Sequence, residues 1–536
     1  MKKIILPIFV FATTLGAICQ SNIIDLNEIK LYIDNEGTLA FNGIESMHQA
    51  PKSGDVGCIY AASIWIGAMD DDGDLHLAAQ TYRQSGSDFW PGPIATNYSS
   101  AYDERYNRTW VIKKTTIQDH IDNWESAGYV VPDIIAEWPA MGDTTNGEPK
   151  YLAPFYDYNV NDIYDPENGD YPIIRGDEAL YFILNDAREL HASSGGEPLQ
   201  IEIHGMAFQI DTTESFLNQN IFVNYSIFNR SDNNYTNLYF GTWFDFDIGY
   251  GLDDYIGSDS LLNLFYGYNS DSNDEGGYGT SIPAQGTLWL NEPLSTFMYY
   301  NNDFSEIGEP ESPEEFYNYL QANWKDGTSA TFGGNGYGGV VETNFVFSGN
   351  PGSASEWSEV SENNPAGDRR GLGAVGPLTL LAGESKCLDI ALPFAIVDGT
   401  DSVAFLQAVD LLKVYSQNII DYYDENINQC MIENEVNPSY NPEDTSLLIS
   451  QLQSFKITVY PNPATDKFMI NISESNSQKN VRVLIRNSFG ELIKEETFIN
   501  TQILEISTVN FPIGFYFVNV NTESGSQDIK LLEILR

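Results

Sequence analysis

Five aspartates, Asp245, Asp247, Asp253, Asp254 and Asp259, fall within fifteen residues of one another. Asp245 and Asp247 end the apolar run Leu238–Phe246, which reads as a strand, so side chains two apart share one face. Gly249 and Gly251 allow the chain to turn sharply and return Asp253, Asp254 and Asp259 to the same region. Carboxylates so crowded repel unless a cation gathers them. Hard oxygen ligands on a flexible loop suit Ca2+, which takes six to eight oxygens, better than Mg2+ with its stricter octahedron. The spacing is not an EF-hand, because no glutamate stands twelfth from Asp245. The expectation is a bound Ca2+ that pins a long loop; the alternative is a solvated acidic loop with Asx-turn caps. Asp70-Asp-Asp-Gly-Asp74 carries less, since a β-turn with Gly73 in a left-handed conformation accounts for it.

Other chemistry finds little support. The five histidines, His48, His76, His120, His191 and His204, form neither His-x-x-x-His nor His-Glu-x-x-His. No Gly-x-Ser-x-Gly elbow occurs. Gly333-Gly-Asn-Gly-Tyr-Gly-Gly339 lacks the Lys-Ser/Thr of a phosphate loop and reads as an irregular loop. A carboxylate pair for glycoside hydrolysis could draw on Glu137, Glu178 and Asp245, at low specificity. Trp65, Trp90, Trp110, Trp138 and Trp243 could form a sugar platform, although tryptophan in β-rich proteins more often fills a core.

The elements that must position these residues are mostly strands. Val111–Thr116, Ile201–Ile210, Ile221–Asn229, Leu238–Phe246, Val340–Phe347 and Cys387–Phe394 read as strands, the second and third as a hairpin pair. Ile117–Ser126, Pro313–Trp324 and Ser402–Asn426 read as helices, the last capped by Asp401-Ser402. The body is therefore mainly β, sandwich-like with few helices. It spans 20–432 as one domain or two, followed by a polar linker over 433–454 that contains Pro438 and Pro442.

The 536 residues carry a formal charge of −50. From Lys456 onward eight Lys/Arg face nine Asp/Glu, so the acidity lies almost wholly in the body. No basic footprint is left for nucleic acid. Met1-Lys-Lys, the apolar run Ile4–Ile18 and Ala17-Ile-Cys19 form a signal peptide over 1–19, with cleavage expected before Gln20. Cys19 raises a lipoprotein reading, but Ile18 stands where a lipobox wants Gly or Ala. No other stretch is long and apolar enough to span a membrane. Among the remaining cysteines, Cys58, Cys387 and Cys430, the readings are buried small hydrophobes or one Cys387–Cys430 bridge.

Residues 455–536 open on Tyr460-Pro-Asn-Pro463 and continue in short period-two runs. These are Lys467–Ile472, Val481–Arg486, Glu491–Phe498, Ile503–Ile506, Gly514–Val520 and Asp528–Leu535, a pattern for a small β-sandwich. The segment resembles the type A sorting domain of the type IX secretion system of Bacteroidota. The resemblance is carried by Tyr460, Pro461, Asn462 and Pro463, the turn ending at Gly490, the Phe511–Tyr516 segment with Pro512, Gly514 and Tyr516, and the last strand from Lys530. It implies an Ig-like sandwich, recognition by the type IX machinery, and delivery outside the cell or to the outer-membrane surface.

The body resembles a group of uncharacterised exported Bacteroidota proteins that accompany this domain. The matching residues are Asn35–Thr38, Ile64–Asp70, Leu77–Arg83 with Asp88–Pro93, Thr242–Gly249, Asp254–Asp259 and Asp368-Arg-Arg370 before Gly376-Pro-Leu. Ser258 stands where relatives often carry cysteine, so a disulfide implied there is absent. The resemblance implies no reaction. The expected function is a non-enzymatic exported protein, Ca2+-stabilised and binding a glycan or surface partner; the alternative is a secreted carboxylate-based hydrolase of extracellular polymer. Deleting residues 456–536 should hold the protein in the periplasm, read by fractionation and surface labelling. Surface display of the truncated chain would refute the sorting role.

Overall fold

The computed structural model describes residues 22–82, 86–399 and 401–427 of the body. In the C-terminal module it describes 457–460, 464–465, 467–472, 480–487, 492–499, 503–508, 511–512, 514–522 and 527–534. The signal peptide, the linker, Cys19, Cys430, Pro461–Pro463 and Gly490 lie outside the described residues. The chain divides into two compact units, Met1–Pro438 and Ser439–Arg536.

The body is built on two antiparallel sheets. The smaller runs Thr296–Asn301, Arg369–Leu380, Tyr235–Phe246, Ile59–Met69 and Leu75–Ala79 in spatial order. The larger has ten strands, with Ser281–Trp289, Ser385–Ala391, Phe222–Asn229, Ile201–Gln209 and Glu178–Asn185 at its centre. Alternation on Tyr235–Phe246 explains how they stack. Phe240, Phe244 and Phe246 turn to the large sheet, where Phe240 meets Tyr225 at 5.6 Å and Phe244 meets Phe265 at 5.9 Å between ring centres. Trp243 and Asp245 turn the other way. That outer face is covered by the helix Pro313–Leu320, whose Phe316 stands edge-on to Trp65 at 4.8 Å. The helix Ala404–Asn426 covers the far side of the large sheet, burying Ala408, Val409, Leu412, Ile419 and Tyr423.

Several expected elements are where the alternation places them. The pair Ile201–Gln209 and Phe222–Asn229 is antiparallel, with Gly205 opposite Tyr225. Others differ. Val340–Phe347 is not a strand: Val340 and Val341 are 95% and 65% exposed, and the run makes only isolated bridges, Glu342 to Thr331 and Phe345 to Phe297. The β-branched pair follows a glycine-rich loop and finds no sheet edge to join. The run expected as the strand Val111–Thr116 ends at Lys113 and becomes the helix Lys114–Asn123, because Ile117 and His120, three apart, bury on one helical face. The long helix begins at Ala404 with Val403 at the N-cap, which makes no side-chain cap bond, while Asp401 accepts the Val403 N–H at 3.2 Å just ahead of the helix.

The C-terminal module has a three-stranded sheet, Ile457–Tyr460, Lys467–Ile472 and Ile503–Ser507, and a four-stranded one, Leu492–Ile499, Asn480–Asn487, Gly514–Thr522 and Gln527–Ile534. Phe468 and Ile470, Val483 and Ile485, Leu504 and Ile506, Tyr516 with Val518 and Val520, and Leu532 with Ile534 form its own core. Each group is spaced by two, as a half-buried strand requires. Tyr516 donates its hydroxyl to Pro512 O at 2.7 Å, which ties the Phe511–Pro512 segment to the strand.

Close packing leaves Gly205 in the large sheet without room for a side chain. A Cβ on Gly205 would stand 1.9 Å from the Phe182 ring, itself fully buried. Gly205→Ala should cost about 1–3 kcal/mol through overpacking. Urea unfolding checks this: the midpoint should fall with the slope unchanged.

Candidate functional site

Three carboxylates converge at one end of the small sheet. Asp245 lies opposite Arg370 and beside Ala61 in the register of its neighbours. Asp247 follows two residues on, and Asp368 precedes Arg370 by two. Period-two alternation therefore puts all four side chains on the outer face. Asp245, Asp247 and Asp368 each offer an oxygen within 4.8 Å of the others. Two like charges at that distance cost about 3–4 kcal/mol at an effective dielectric of ~20.

Arg370 is 1% exposed and holds the group together. Its guanidinium donates to Asp245 Oδ2 at 3.2 Å, to Tyr82 Oη at 2.7 Å and to Asp368 Oδ1, and its Nε lies 3.4 Å from Glu309 Oε1. One guanidinium does not balance the surrounding carboxylates. Burial pushes the Asp245 carboxyl well above the usual range, against the pull of Arg370. Asp247 is pushed up to about 6 by burial and by the Asp368 charge. Asp245 Oδ1 is buried without a hydrogen-bond partner. An acceptor in that state costs free energy unless a donor or cation reaches it. Ca2+–oxygen distances of ~2.3–2.6 Å let one ion touch oxygens this far apart.

The other sequence-expected ligands are elsewhere. Asp254 is buried in the strand Asp254–Asp259 and accepts the Ile248 N–H at 2.9 Å. Asp259 pairs with Lys413 at 2.9 Å and accepts the Leu261 and Leu262 N–H groups, which fixes a turn. Asp253 faces Asp274, Asp271 and Glu275. The five aspartates thus do not form one ligand set: Asp245 stands near the end of one strand, Asp254 and Asp259 stand at the two ends of another, and Asp247 and Asp253 lie in the connection between them. Asp368, the third member of the trio, lies outside the aspartate loop, though it stands in the Asp368-Arg-Arg370 segment that the sequence marks. Asp70 accepts the Asp72 and Asp74 N–H groups around Gly73 at φ +84°, so that segment is a turn.

The hydrolase candidates also separate. Glu137 pairs with Arg108 at the surface. Glu178 accepts the Asp25 and Leu26 N–H groups and closes the N-terminal segment onto the large sheet. His204 bonds Tyr181 and Glu202 within the large sheet. Trp65, Trp110, Trp138 and Trp243 are buried, which makes them core. Ser258 donates to Val346 O. Cys58 is a buried free thiol, whereas Cys387 is disulfide-bonded.

A model of the secretion system C-terminal sorting domain matches residues 458–533. No curated protein sequence matches the chain. Among solved structures, the chain is similar to a DUF3244 family protein with an immunoglobulin-like β-sandwich fold from Bacteroides vulgatus ATCC 8482. The identity is 16%, over 14% of this chain and 81% of that one, with a TM-score of 0.13. A polysaccharide lyase is similar at 8% identity over 62% of this chain and 34% of its own, TM-score 0.22. An uncultured Clostridium sp. β-glucuronidase is similar at 9%, over 55% and 35%, TM-score 0.13. This chain thus spans about a third of the length of each of those two enzymes.

The C-terminal module is a secretion system sorting domain. The protein is exported by the type IX route, to the exterior or the cell surface. No helix among the described residues is long and apolar enough to cross a membrane.

Asp253 offers a test of the electrostatics. Burial and the Asp274 charge push its carboxyl up to about 6, against roughly 3.9 in an unfolded chain. The folded state therefore binds more protons between those values. Its contribution to stability is present below pH ~4 and is lost as pH rises through about 6. Asp253→Asn should gain on the parent as pH rises across that window, measured by urea unfolding. An equal difference at both ends would refute the assignment.

Proposed function

We propose that the body is a non-enzymatic extracellular protein, stabilised by Ca2+ held between Asp245, Asp247 and Asp368, that binds a glycan or other surface polymer. The observation that carries the metal is the trio itself, with the buried, unpartnered Asp245 Oδ1 beside it. The three residues come from the ends of two neighbouring strands, so an ion there ties Tyr235–Phe246 to the start of Arg369–Leu380 at the point where carboxylate repulsion opposes their pairing. Its role is structural. Ligation keeps Asp245 and Asp247 ionised in a setting that otherwise favours their protonated forms.

A binding role is supported by three features. The sorting domain places the body outside the cell. The carboxylates suggested for hydrolysis are each engaged by a different structural partner. A half-buried aromatic group, Phe41, Tyr60 and Tyr82, packs beside Trp243 and Asp245, with ring centres 4.9–5.5 Å apart. Sugar faces stack on such rings.

Calcium at a hundred times its Kd should stabilise the protein by about 2.7 kcal/mol. Asp247→Asn with Asp368→Asn should abolish that gain while leaving the Asp245–Arg370 pair intact. Thermal unfolding with calcium and with chelator reads both. Identical melting of the parent under the two conditions would overturn the metal.

A further inference from the structure

A second feature lies across Asp368 from the metal trio. An open cleft of about 410 Å3 is bounded by the end of the strand Thr296–Asn301, the loop Gly333–Gly339 and residues 364–369. That volume falls in the ~300–1,000 Å3 range of small-molecule sites. We infer that this cleft binds a neutral, hydroxyl-rich glycan segment through asparagine amides set over a buried Arg369–Glu359 pair. The inference deepens the surface-binding reading above and rests on it.

The floor is rigid and already satisfied. Arg369 donates from Nε and Nη2 to Glu359 Oε1 at 3.1 and 2.9 Å, and from Nη1 to Asn301 Oδ1 at 3.1 Å. Glu359 Oε2 accepts the Ile256 N–H at 2.7 Å. With its fork spent in this way, Arg369 has little left for a ligand carboxylate or sulfate. The remaining charges are Asp303 and Asp368, and the protein as a whole is strongly acidic. An anionic ligand would therefore be repelled at the mouth and unpaired inside.

The rim has a different chemistry. Asn301, Asn335 and Asn364 line it together with Asp303. Asn301 and Asn335 present their Nδ2 donors, their Oδ1 atoms accepting from Arg369 and the Tyr337 N–H, and Asn364 presents its Oδ1 acceptor, its Nδ2 reaching Gly334 O at 3.5 Å. A sugar hydroxyl both donates and accepts, so it can meet the two amide donors and the one amide acceptor alike. An amine would leave the amide donors without partners. Among the described residues, Asn301 Nδ2 donates to nothing, its Oδ1 being held by Arg369.

The glycine-rich loop gains a purpose in this arrangement. Gly333, Gly334, Gly336 and Gly338 all have positive φ, which lets the loop fold back on itself. Tyr299 donates its hydroxyl to Asn335 O at 3.0 Å, and the Trp357 indole donates to Gly334 O at 3.1 Å. Two buried aromatic side chains therefore anchor a loop whose Asn335 side chain stays exposed. A rigid rim loses little entropy on binding.

Isothermal titration of the full chain with mannotriose, xylotriose, laminaritriose and trigalacturonate tests this. At least one neutral trisaccharide should bind and trigalacturonate should not. Asn335→Ala and Asn364→Ala should each weaken binding about fivefold, the loss of one hydrogen bond, with unchanged thermal unfolding. Binding of a neutral sugar that neither variant alters would overturn the cleft and leave the surface-binding reading standing. Binding of trigalacturonate alone would do the same. If no probe binds, the inference falls; adhesion of the labelled chain to whole cells would then preserve the broader reading, and failure to adhere would sink both.

Discussion

The register of one strand decides where charge can sit in this protein. Tyr235–Phe246 is the middle strand of the small sheet, and its side chains alternate between an apolar interface and a face that carries Trp243 and Asp245. A slip of one residue would drive Asp245 between the two sheets and expose Phe244 and Phe246. Its pairing with Arg370 blocks that slip. A buried ion pair adds little net stability, but losing one partner leaves a costly orphan charge. Here the orphan cost enforces a unique register, which in turn fixes Asp247 and Asp368 opposite each other.

That geometry explains why acidity gathers at a sheet end instead of spreading evenly. Carboxylates inside a strand would need a partner at every step. At the end, Gly249 turns the backbone away at φ +73° and lets Asp253 and Asp254 part to separate tasks. Gly249 is also tightly enclosed, since a Cβ there would meet Asp274 Oδ2 at 1.8 Å. The loop that follows is held by side chain to backbone bonds, Asp254 to Ile248 and Asp274 to Tyr250 and Tyr278. It is organised by carboxylates acting as acceptors.

The two units of the chain solve stability differently. The body buries large aromatic side chains such as Trp65, Trp243, Trp289 and Trp324 and surrounds them with charged loops. The sorting module carries almost balanced charge and a core of small apolar strand pairs. A module with its own core can keep its recognition surface whatever cargo precedes it.

The sequence alone determined the sorting module, the strands read over Ile201–Ile210, Ile221–Asn229 and Leu238–Phe246, and the placing of Asp245 and Asp247 on one face. All of these rest on local periodicity, which needs only neighbouring residues. The alternation also carried a false strand at Val340–Phe347, since a pattern does not say whether a partner edge is free. Only the tertiary structure decided the rest. Arg370 reaches Asp245 across 125 residues of chain and brings Asp368 with it, while Asp259 is drawn off to Lys413 on a distant helix. Carboxylate spacing along a chain sets which face a group can occupy; sheet order and register set what it meets there.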